Sequence, residues 1–285
     1  MPELPEVETI RRDLRHKILY KKIIGVQILH KKTVHNKEKD FWRILKNNKI
    51  KEIDRAGKLI IFELAGKNFL LAHLKMTGQL IYVKNNEITV GGHSETKTNL
   101  NLPNKHTRVI ISFADKAKLF FNDLRLFGYM KIVDAKAKNK IKLGFGIEPL
   151  TANFTLNNFA KIFKNRKTSL KAVLLNQKLI AGVGNIYADE ACFAAGINPF
   201  KQANKLTKKE IKKLFLAIEK ILKKAILKRG TTFNNYVDSD GNKGNYIKYL
   251  KVYGRGGKSC NQCQNILKKK KLAGRSTVFC VDCQK

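Results

Sequence analysis

The chain has 285 residues, of which 43% are hydrophobic, and this length favours two domains with cores of their own. Lysine and arginine total 58 against 22 acidic residues, so the formal net charge is +36, which favours nucleic acid as a partner. No apolar run is long enough to span a membrane, and the acidic opening MPELPEVE is unlike a secretory signal, so we expect a cytoplasmic protein. Solvated lysines on ordinary helices, as over residues 201–224, are a second explanation of the charge.

The first half of the chain predicts one helix and a β domain. Residues 6–17 place Val7, Ile10 and Leu14 on one apolar stripe, as in an amphipathic helix. From about residue 23 to 133, short β-branched or aromatic runs such as KLIIFEL and RVIISF are separated by turn residues, which indicates an antiparallel sandwich or barrel. The polar residues 84–106 are expected to form a long loop, and residues 134–150 a connector.

The second half predicts helices followed by a small cysteine module. Residues 153–229 repeat the spacing of helices, and Gly230 is a suitable helix stop. Residues 231–250 contain Asp-Gly and Lys-Gly turn signals, so we expect a mobile loop there. Cys192 falls among apolar helical residues and is predicted to be a core cysteine.

Four of the five cysteines form two Cys-x-x-Cys pairs near the C-terminal end, with sixteen residues between the pairs. In a reducing compartment this pattern predicts one structural Zn2+, which folds a hairpin and takes no part in the chemistry. The expected ligands are Cys260, Cys263, Cys280 and Cys283. Lysines at 268–271 and Arg275 lie between the pairs, so the hairpin would bring positive charge to a duplex.

The segment LIAGVGNIYADE predicts a helix, a Gly-x-Gly turn and a second helix. Gly182 and Gly184 permit a tight turn, and Asn185 stands where the N-cap of a helix beginning at Ile186 belongs. Backbone amides at a helix start bind phosphate, so a DNA phosphate is the expected ligand for so basic a chain. A plain helical hairpin explains the same residues equally well.

The amino terminus offers a nucleophile. Methionine before proline is normally removed, because the penultimate residue is small, and the chain then begins with the secondary amine of Pro2. An α-amino group has a pKa of about 8, so a useful fraction is neutral and can attack the C1′ of a deoxyribose to form a Schiff base. Glu3 and Glu6 follow at once and are candidates for shuttling protons or holding water.

Several longer motifs occur in order along nearly the whole chain. They are MPELPEVETIRR, AGKLIIFEL, HLKMTGQL, NDLRLFG, AGVGNIYADEACFAAGI, GTTFNNYVDSDG, VYGRGGKSC and AGRSTVFCVDCQK. This series resembles the formamidopyrimidine-DNA glycosylases, bifunctional glycosylase/AP lyases that remove oxidised purines from DNA.

The resemblance implies an α+β multidomain fold. Its parts are an N-terminal helix plus a two-layered antiparallel β-sandwich, a helix-two-turn-helix domain and a C-terminal zinc-finger β-hairpin. The expected domains are residues 1–133 (catalytic β-sandwich), 134–150 (connector), 151–230 (helix-two-turn-helix), 231–250 (lesion-recognition loop that closes over the damaged base) and 251–285 (zinc finger).

The resemblance also implies catalytic roles. Pro2 is the nucleophile that displaces the damaged base, Glu3 is the general acid for ring opening and later proton transfers, and Glu6 supports that site. Lys58 is matched to the proton donor associated with β-elimination, and Arg275 to the δ-elimination role. Both cations are also expected to contact phosphate.

Further residues match DNA contacts of the family. Asn185 is expected to hold a backbone phosphate, in agreement with its place at a helix start. An apolar wedge with an arginine fills the gap left by the flipped nucleotide and partly replaces the lost stacking. The wedge residues are Met76, Arg125 and Phe127, and the other expected contacts are His106 and Lys167. We expect a monomer that acts on duplex DNA containing oxidised purines or abasic sites, in a bacterial cytoplasm with the nucleoid.

Two rival functions stay open. An endonuclease VIII-like glycosylase would prefer oxidised pyrimidines, although the ELPEVE opening and the GTTF…SDG segment favour the purine branch. A non-catalytic zinc-containing DNA-binding protein would keep the helical and zinc modules. A retained Met1 would favour the latter, because it would bury the nucleophile in an amide.

The chain departs from the family pattern around the expected wedge. Lys75 stands where the family usually has glycine, and the LRL stretch at 124–126 replaces Pro-Arg-Arg or Pro-Arg-Lys, which removes one cation. The HTR stretch at 106–108 replaces His-Asp-His, and LGFGIEPL is two residues longer than the common LGPEPL. These changes concern opposite-base reading more than the chemistry.

Overall fold

The computed structural model describes residues 1–85, 87–92, 101–231 and 245–285. The chain divides into two compact units, Met1–Leu143 with Lys228–Ile247 and Gly144–Leu227 with Lys248–Lys285. Among these described residues, no helix has both the length and the apolar character needed to cross a membrane.

Among its described residues, the first unit contains two antiparallel sheets and three α-helices. The helices are α1 (Leu4–Ile18), α2 (Glu38–Leu45) and α3 (Ala135–Leu143). The strands are β1 (Ile23–Ile28), β2 (Ile50–Ala56), β3 (Leu59–Leu64), β4 (Asn68–His73), β5 (Gly78–Lys84), β6 (Glu87–Gly92), β7 (Thr107–Phe113), β8 (Lys118–Asp123) and β9 (Tyr129–Asp134). One sheet has the order β1-β7-β8-β5-β6, and the other has the order β2-β3-β4-β9. The predicted antiparallel β domain behind an N-terminal helix is confirmed.

One hydrophobic core is shared by α1 and both sheets. It takes Val109 and Ile111 from alternate positions of β7, whereas the intervening Ile110 joins a smaller cluster on the other face of that sheet. The predicted apolar stripe of α1 lies in the same core, where Val7 is fully buried. Burial of these faces positions both ends of α1 and the turns that connect the strands.

Residues 84–106 do not form one long loop, so that expectation was wrong. β6 pairs with β5 along its length, and Val90 is buried. A Cβ on Gly91 would come within 2.7 Å of Ile10 Cγ1, so glycine lets α1 pack against this strand. The strand escaped the sequence analysis because its glycines and polar neighbours are typical of loops. Residues 93–100 lie outside the described residues.

The second unit contains four helices and a hairpin. These elements are α4 (Leu156–Lys161), α5 (Leu170–Leu175), α6 (Asn185–Ala195), α7 (Lys208–Leu227), β10 (Lys268–Leu272) and β11 (Arg275–Phe279). In α7 the buried residues Leu214, Ile218 and Leu222 share one face, as the predicted amphipathic helix requires. Cys192 of α6 is fully buried, which confirms its prediction as a core cysteine, and burial raises the pKa of its thiol.

The predicted mobile loop over residues 231–250 falls mostly outside the described residues, which resume at Asn245. A short 3-10 helix, Tyr246–Tyr249, ends that stretch. Residues 135–143 of the predicted connector are helical, and α3 has no buried residue.

Candidate active site

The amino terminus of the chain is built into the start of α1. Pro2 is buried, and Glu3, which is 1% exposed, is the N-cap residue of the helix. The Glu3 backbone N–H donates to Glu6 Oε2 at 2.9 Å, and the two residues form a capping box. Pro5 occupies the first turn of α1, where a backbone N–H would have no acceptor within the helix, so its missing N–H costs no hydrogen bond. The predicted nucleophile and both predicted carboxylates therefore meet at one helix end.

Glu6 also binds a distant part of the same unit. Its Oε1 accepts hydrogen bonds from the backbone N–H of Thr231 at 2.8 Å and from Thr231 Oγ1 at 3.1 Å. Gly230 has a φ of +81°, and a Cβ there would lie 2.6 Å from Glu6 Oε1. A glycine is therefore required beside Glu6. Glu6 therefore ties the helix start to the residues that precede 232–244.

Glu8 fixes α1 on β2. Its carboxylate accepts from Arg11 at 2.8 Å, from Arg12 Nε at 2.7 Å and from Arg55 Nε of β2 at 2.8 Å. Burial alone would raise the pKa of Glu8, but the hydrogen bonds from Arg11, Arg55 and Arg12 lower it to about 2. The helix that bears the amino terminus is thus held by a buried, ionised carboxylate.

Lys58 lies in the turn between β2 and β3, where Gly57 has a φ of +56°, and it is only 5% exposed. The next residue, Leu59, pairs with His73 at the end of β4. Burial, with the charges of Lys75 and Lys58, lowers the pKa of His73 to about 3. His73 Nδ1 accepts the Lys75 backbone N–H at 3.1 Å, so the proton of the neutral ring resides on Nε2.

His73 was not singled out in the sequence analysis, although it begins the HLKM motif. A neutral imidazole that carries its N–H at Nε2, beside a buried lysine, is a hydrogen-bond donor suited to an anionic ligand. The pairing of β3 with β4 brings these two side chains together, and only the register of the sheet reveals that proximity.

Met76 and the Arg125–Phe127 turn lie at one end of the five-stranded sheet. Gly78 of β5 pairs with Asp123 of β8, so the turn before β5 and the turn after β8 are neighbours. Phe127 is 52% exposed, and the Arg125 guanidinium lies 4.9 Å from its ring centroid. The structure thus brings the three predicted wedge residues together, and the exposure of Phe127 argues against a core role.

His106 lies at the same edge, because its carbonyl accepts the backbone N–H of Asp123 at 2.9 Å. Two residues next to the predicted wedge depart from the family pattern, and both have a left-handed backbone. Lys75 has a φ of +50° and Leu126 a φ of +58°. Glycine adopts this conformation at lower cost than either side chain. Leu126 is also 43% exposed, so the chain presents an additional apolar side chain where a cation was expected.

In the second unit, the structure brings Asn185 and Arg275 close together. Asn185 is the first residue of α6, whereas the N-cap is Gly184 in extended conformation, so the predicted N-cap position was wrong by one residue. Asn185 Nδ2 donates to the carbonyl of Ser276 at 3.1 Å. Arg275 directly precedes Ser276 and is exposed at the start of β11. Lys167 is exposed in the segment between α4 and α5, in the same unit.

A buried ion pair holds β11 on α5 and α6. Lys171 Nζ lies 2.6 Å from Asp189 Oδ1, and neither side chain is exposed. Lys171 also donates to the Ser276 carbonyl at 3.1 Å and to Thr277 Oγ1 at 2.8 Å. Burial raises the pKa of Asp189 to about 6, although Lys171 opposes that rise. The sequence alone does not reveal this pair, because nothing in a chain so rich in lysine marks Lys171 as buried.

The four clustered cysteines offer a metal site. Their sulfur atoms all lie within 4.8 Å of one another. Cys263 and Cys280 are separated by 3.4 Å, and Cys260 and Cys283 by 3.9 Å. Sulfurs at about 2.3 Å from one tetrahedral ion would lie about 3.8 Å apart, so the donor set fits such an ion. β10 and β11 lie between the two pairs, as predicted.

Known proteins share both units. Residues 1–130 match the formamidopyrimidine-DNA glycosylase N-terminal domain, and residues 145–236 match the formamidopyrimidine-DNA glycosylase H2TH domain. The chain is 41% identical over 287 residues to the formamidopyrimidine-DNA glycosylase of Desulfitobacterium hafniense, covering 100% of both chains. It is 39% identical over 289 residues to the Listeria innocua enzyme of that name, again with 100% coverage of both.

Solved structures of a formamidopyrimidine-DNA glycosylase are similar to this chain over its whole length. The Lactococcus lactis Fpg in complex with DNA containing N7-benzyl-Fapy-dG superposes with a TM-score of 0.87 at 33% identity, and 100% of each chain is covered. The same enzyme with abasic-site DNA gives a TM-score of 0.86 at 33% identity, with 99% of each chain covered. The chain belongs to the formamidopyrimidine-DNA glycosylase family.

Proposed function

We propose that this protein excises oxidised purines from duplex DNA through a Schiff base at Pro2 and then cleaves the abasic strand by β,δ-elimination. The observation that carries the proposal is the buried placement of Pro2 and Glu3 at the start of α1. A helix N-terminus favours negative charge, so an anionic DNA strand is stabilised beside these residues.

The chemistry needs one amine and a few proton donors and acceptors. Once Met1 is removed, the neutral Pro2 nitrogen attacks the sugar C1′, and the bond from C1′ to the damaged base breaks as the base takes up a proton. Glu3 supplies the proton that opens the sugar ring, and the resulting iminium is the Schiff base. Loss of a proton from C2′ then expels the 3′ phosphate, and a second elimination expels the 5′ phosphate.

Two groups in the first unit suit binding of the DNA backbone beside this reaction. Lys58 supplies a cation that is 5% exposed, and His73 supplies a neutral N–H, so each can bind a phosphate oxygen. Lys58 is the proposed proton donor for β-elimination. Met76, Arg125 and Phe127 enter the duplex when the damaged nucleotide is extruded, and His106 contacts the strand beside them.

The second unit supplies the remaining contacts. Asn185 at the start of α6 and Arg275 at the tip of the hairpin bind phosphate, and Lys167 adds a weaker contact. Arg275 is also the proposed residue for δ-elimination. The four cysteines hold one structural Zn2+, whose role is to fold the hairpin that carries Arg275. We place the protein with the DNA of a bacterial cytoplasm because its substrate is there.

Borohydride trapping tests the proposal. Sodium borohydride reduces an iminium to a stable amine, so a duplex containing 8-oxoguanine should become covalently attached to the protein. Pro2→Gly and Glu3→Gln should each lower base release while leaving affinity for abasic DNA intact. Absence of a trapped complex with folded, Met1-free protein contradicts the proposal, as does an equal loss of binding and base release in the variants.

The range of lesions is a separate question. A solved structure of the Lactococcus lactis enzyme, with a TM-score of 0.86 to this chain, contains DNA with an oxidised pyrimidine. Competition between 8-oxoguanine and thymine glycol duplexes measures the preference of this protein. We expect the 8-oxoguanine duplex to be cleaved first, and the opposite order would support the endonuclease VIII-like alternative.

A further inference from the structure

Asp123, at the end of β8, joins two turns of the first unit. Its carboxylate is nearly inaccessible, since the residue is 1% exposed. Oδ1 accepts from Thr77 Oγ1 at 2.5 Å and from the Arg125 backbone N–H at 3.2 Å, and Oδ2 accepts from the Gly128 backbone N–H at 2.7 Å. Thr77 belongs to the turn before β5, whereas Arg125 and Gly128 bracket the turn after β8.

The hydroxyl of Thr77 completes the link. While it donates to Asp123, it accepts the backbone N–H of Arg125 at 3.0 Å. The backbone of Asp123 is fixed as well, because its N–H donates to the His106 carbonyl at 2.9 Å and its carbonyl accepts from Arg108 Nε at 2.9 Å. The two turns are therefore joined by a closed set of hydrogen bonds around one carboxylate.

The conformation of the turn after β8 depends on these bonds. A Cβ on Gly128 would lie 2.8 Å from Phe121 Cζ and 3.1 Å from Asp123 Oδ2, so a side chain there would crowd the carboxylate oxygen that accepts the Gly128 N–H. Leu126 is held at a φ of +58°, a region that leucine seldom occupies. A leucine keeps this backbone only where its surroundings impose it.

We propose that Asp123, acting with Thr77, is a positioning residue for duplex opening, because it locks the turn of Met76 and the turn of Phe127 into one rigid wedge before DNA binds. Apolar side chains on two independent turns would lose conformational freedom when they enter the base stack. A wedge ordered in advance avoids that loss at the moment the nucleotide leaves the duplex. This inference rests on the proposed function, and it identifies the Asp123 carboxylate as the group that makes the wedge rigid.

A matched pair of variants tests the link. Thr77→Val removes the hydroxyl with little change of volume, whereas Thr77→Ser keeps it. Opening is followed by stopped-flow fluorescence of 2-aminopurine placed beside an 8-oxoguanine. We expect Thr77→Val to slow opening about three- to ten-fold, the usual effect of one lost hydrogen bond, and Thr77→Ser to restore the wild-type rate. Cleavage of a single-stranded abasic oligonucleotide, which needs no opening, should be equal in all three proteins.

Two results overturn the inference: unchanged opening in Thr77→Val, or equal slowing of opening and of single-strand cleavage. A double-mutant cycle adds a second criterion, because in a Phe127→Ala background the turn after β8 has lost its inserted ring and Thr77→Val should slow opening less than it does in the wild-type protein. If the effects of Thr77→Val and Phe127→Ala on the opening rate simply multiply, the inference is also overturned. Borohydride trapping of the wild-type protein reports the chemistry separately, so a failure of the positioning role is distinguishable from a failure of the proposed function.

Discussion

Replacement of Glu8 by glutamine should lower the unfolding free energy of the first unit more than the same replacement at an exposed glutamate. The Glu8 side chain is 8% exposed and faces three guanidinium groups. Glutamine keeps the shape and one acceptor oxygen but removes the charge. The pKa of Glu8 is lowered from 4.5 to about 2, and that difference corresponds to about 3 kcal/mol of stability at neutral pH. Breaking a buried ion pair typically costs a similar amount, about 3–5 kcal/mol.

Trp42, the single tryptophan of the chain, lies in α2 of the same unit, so its fluorescence during urea unfolding reports the stability of that unit. Glu52→Gln is the matched control, because Glu52 pairs with Arg15 at 2.9 Å but both side chains are more than a third exposed. The control should cost less than about 1 kcal/mol. Equal losses in the two variants would refute the argument from burial.

The pH dependence gives a second test of the same pair. Because the pKa of Glu8 is lower in the folded protein, its contribution is complete above the unfolded value near 4.5 and is lost as pH falls toward about 2. The difference in unfolding free energy between wild type and Glu8→Gln should therefore be constant near neutral pH and shrink below pH 4.5. A difference that does not change over that window would contradict the assignment.

Three other results are expected. Lys171→Met leaves Asp189 buried without its cation and should destabilise the second unit by about 3–5 kcal/mol in thermal unfolding. The double variant Lys171→Met with Asp189→Leu should recover most of that loss. If the double variant shows no recovery, lost packing is the main cause of the destabilisation. Lys75→Gly relieves a left-handed backbone and should raise stability by about 1 kcal/mol, followed by Trp42 fluorescence, whereas Lys75→Ala should bring no such gain. Chelation should release one Zn2+ per chain and abolish strand cleavage while helical circular dichroism persists, and cleavage by the metal-free protein would contradict the role of the hairpin.

The sequence predicted those parts of the protein that depend on residues close together in the chain. The apolar stripe of α1, the β-rich first half and the cysteine spacing each follow from periodicity or from the geometry of a single turn. The wedge residues could be named from their motifs, but their proximity depends on the pairing of β5 with β8, which no short motif specifies.

The features that escaped prediction arise from contacts between residues distant in sequence. Lys171 is one lysine among many until helix packing buries it against Asp189. His73 comes close to Lys58 only through the register of β3 with β4. The tie from Glu6 to Thr231 spans 225 positions, and tertiary packing alone brings the two together.

Peptide mass spectrometry of the borohydride-trapped complex tests the role of Pro2 most directly. After digestion of the protein and the DNA, we expect the residual sugar adduct on the N-terminal peptide, with Met1 absent and the mass added at the Pro2 nitrogen. An adduct on Lys58 or another lysine, or a peptide that retains Met1 in an active preparation, would contradict the assignment of Pro2 as the nucleophile.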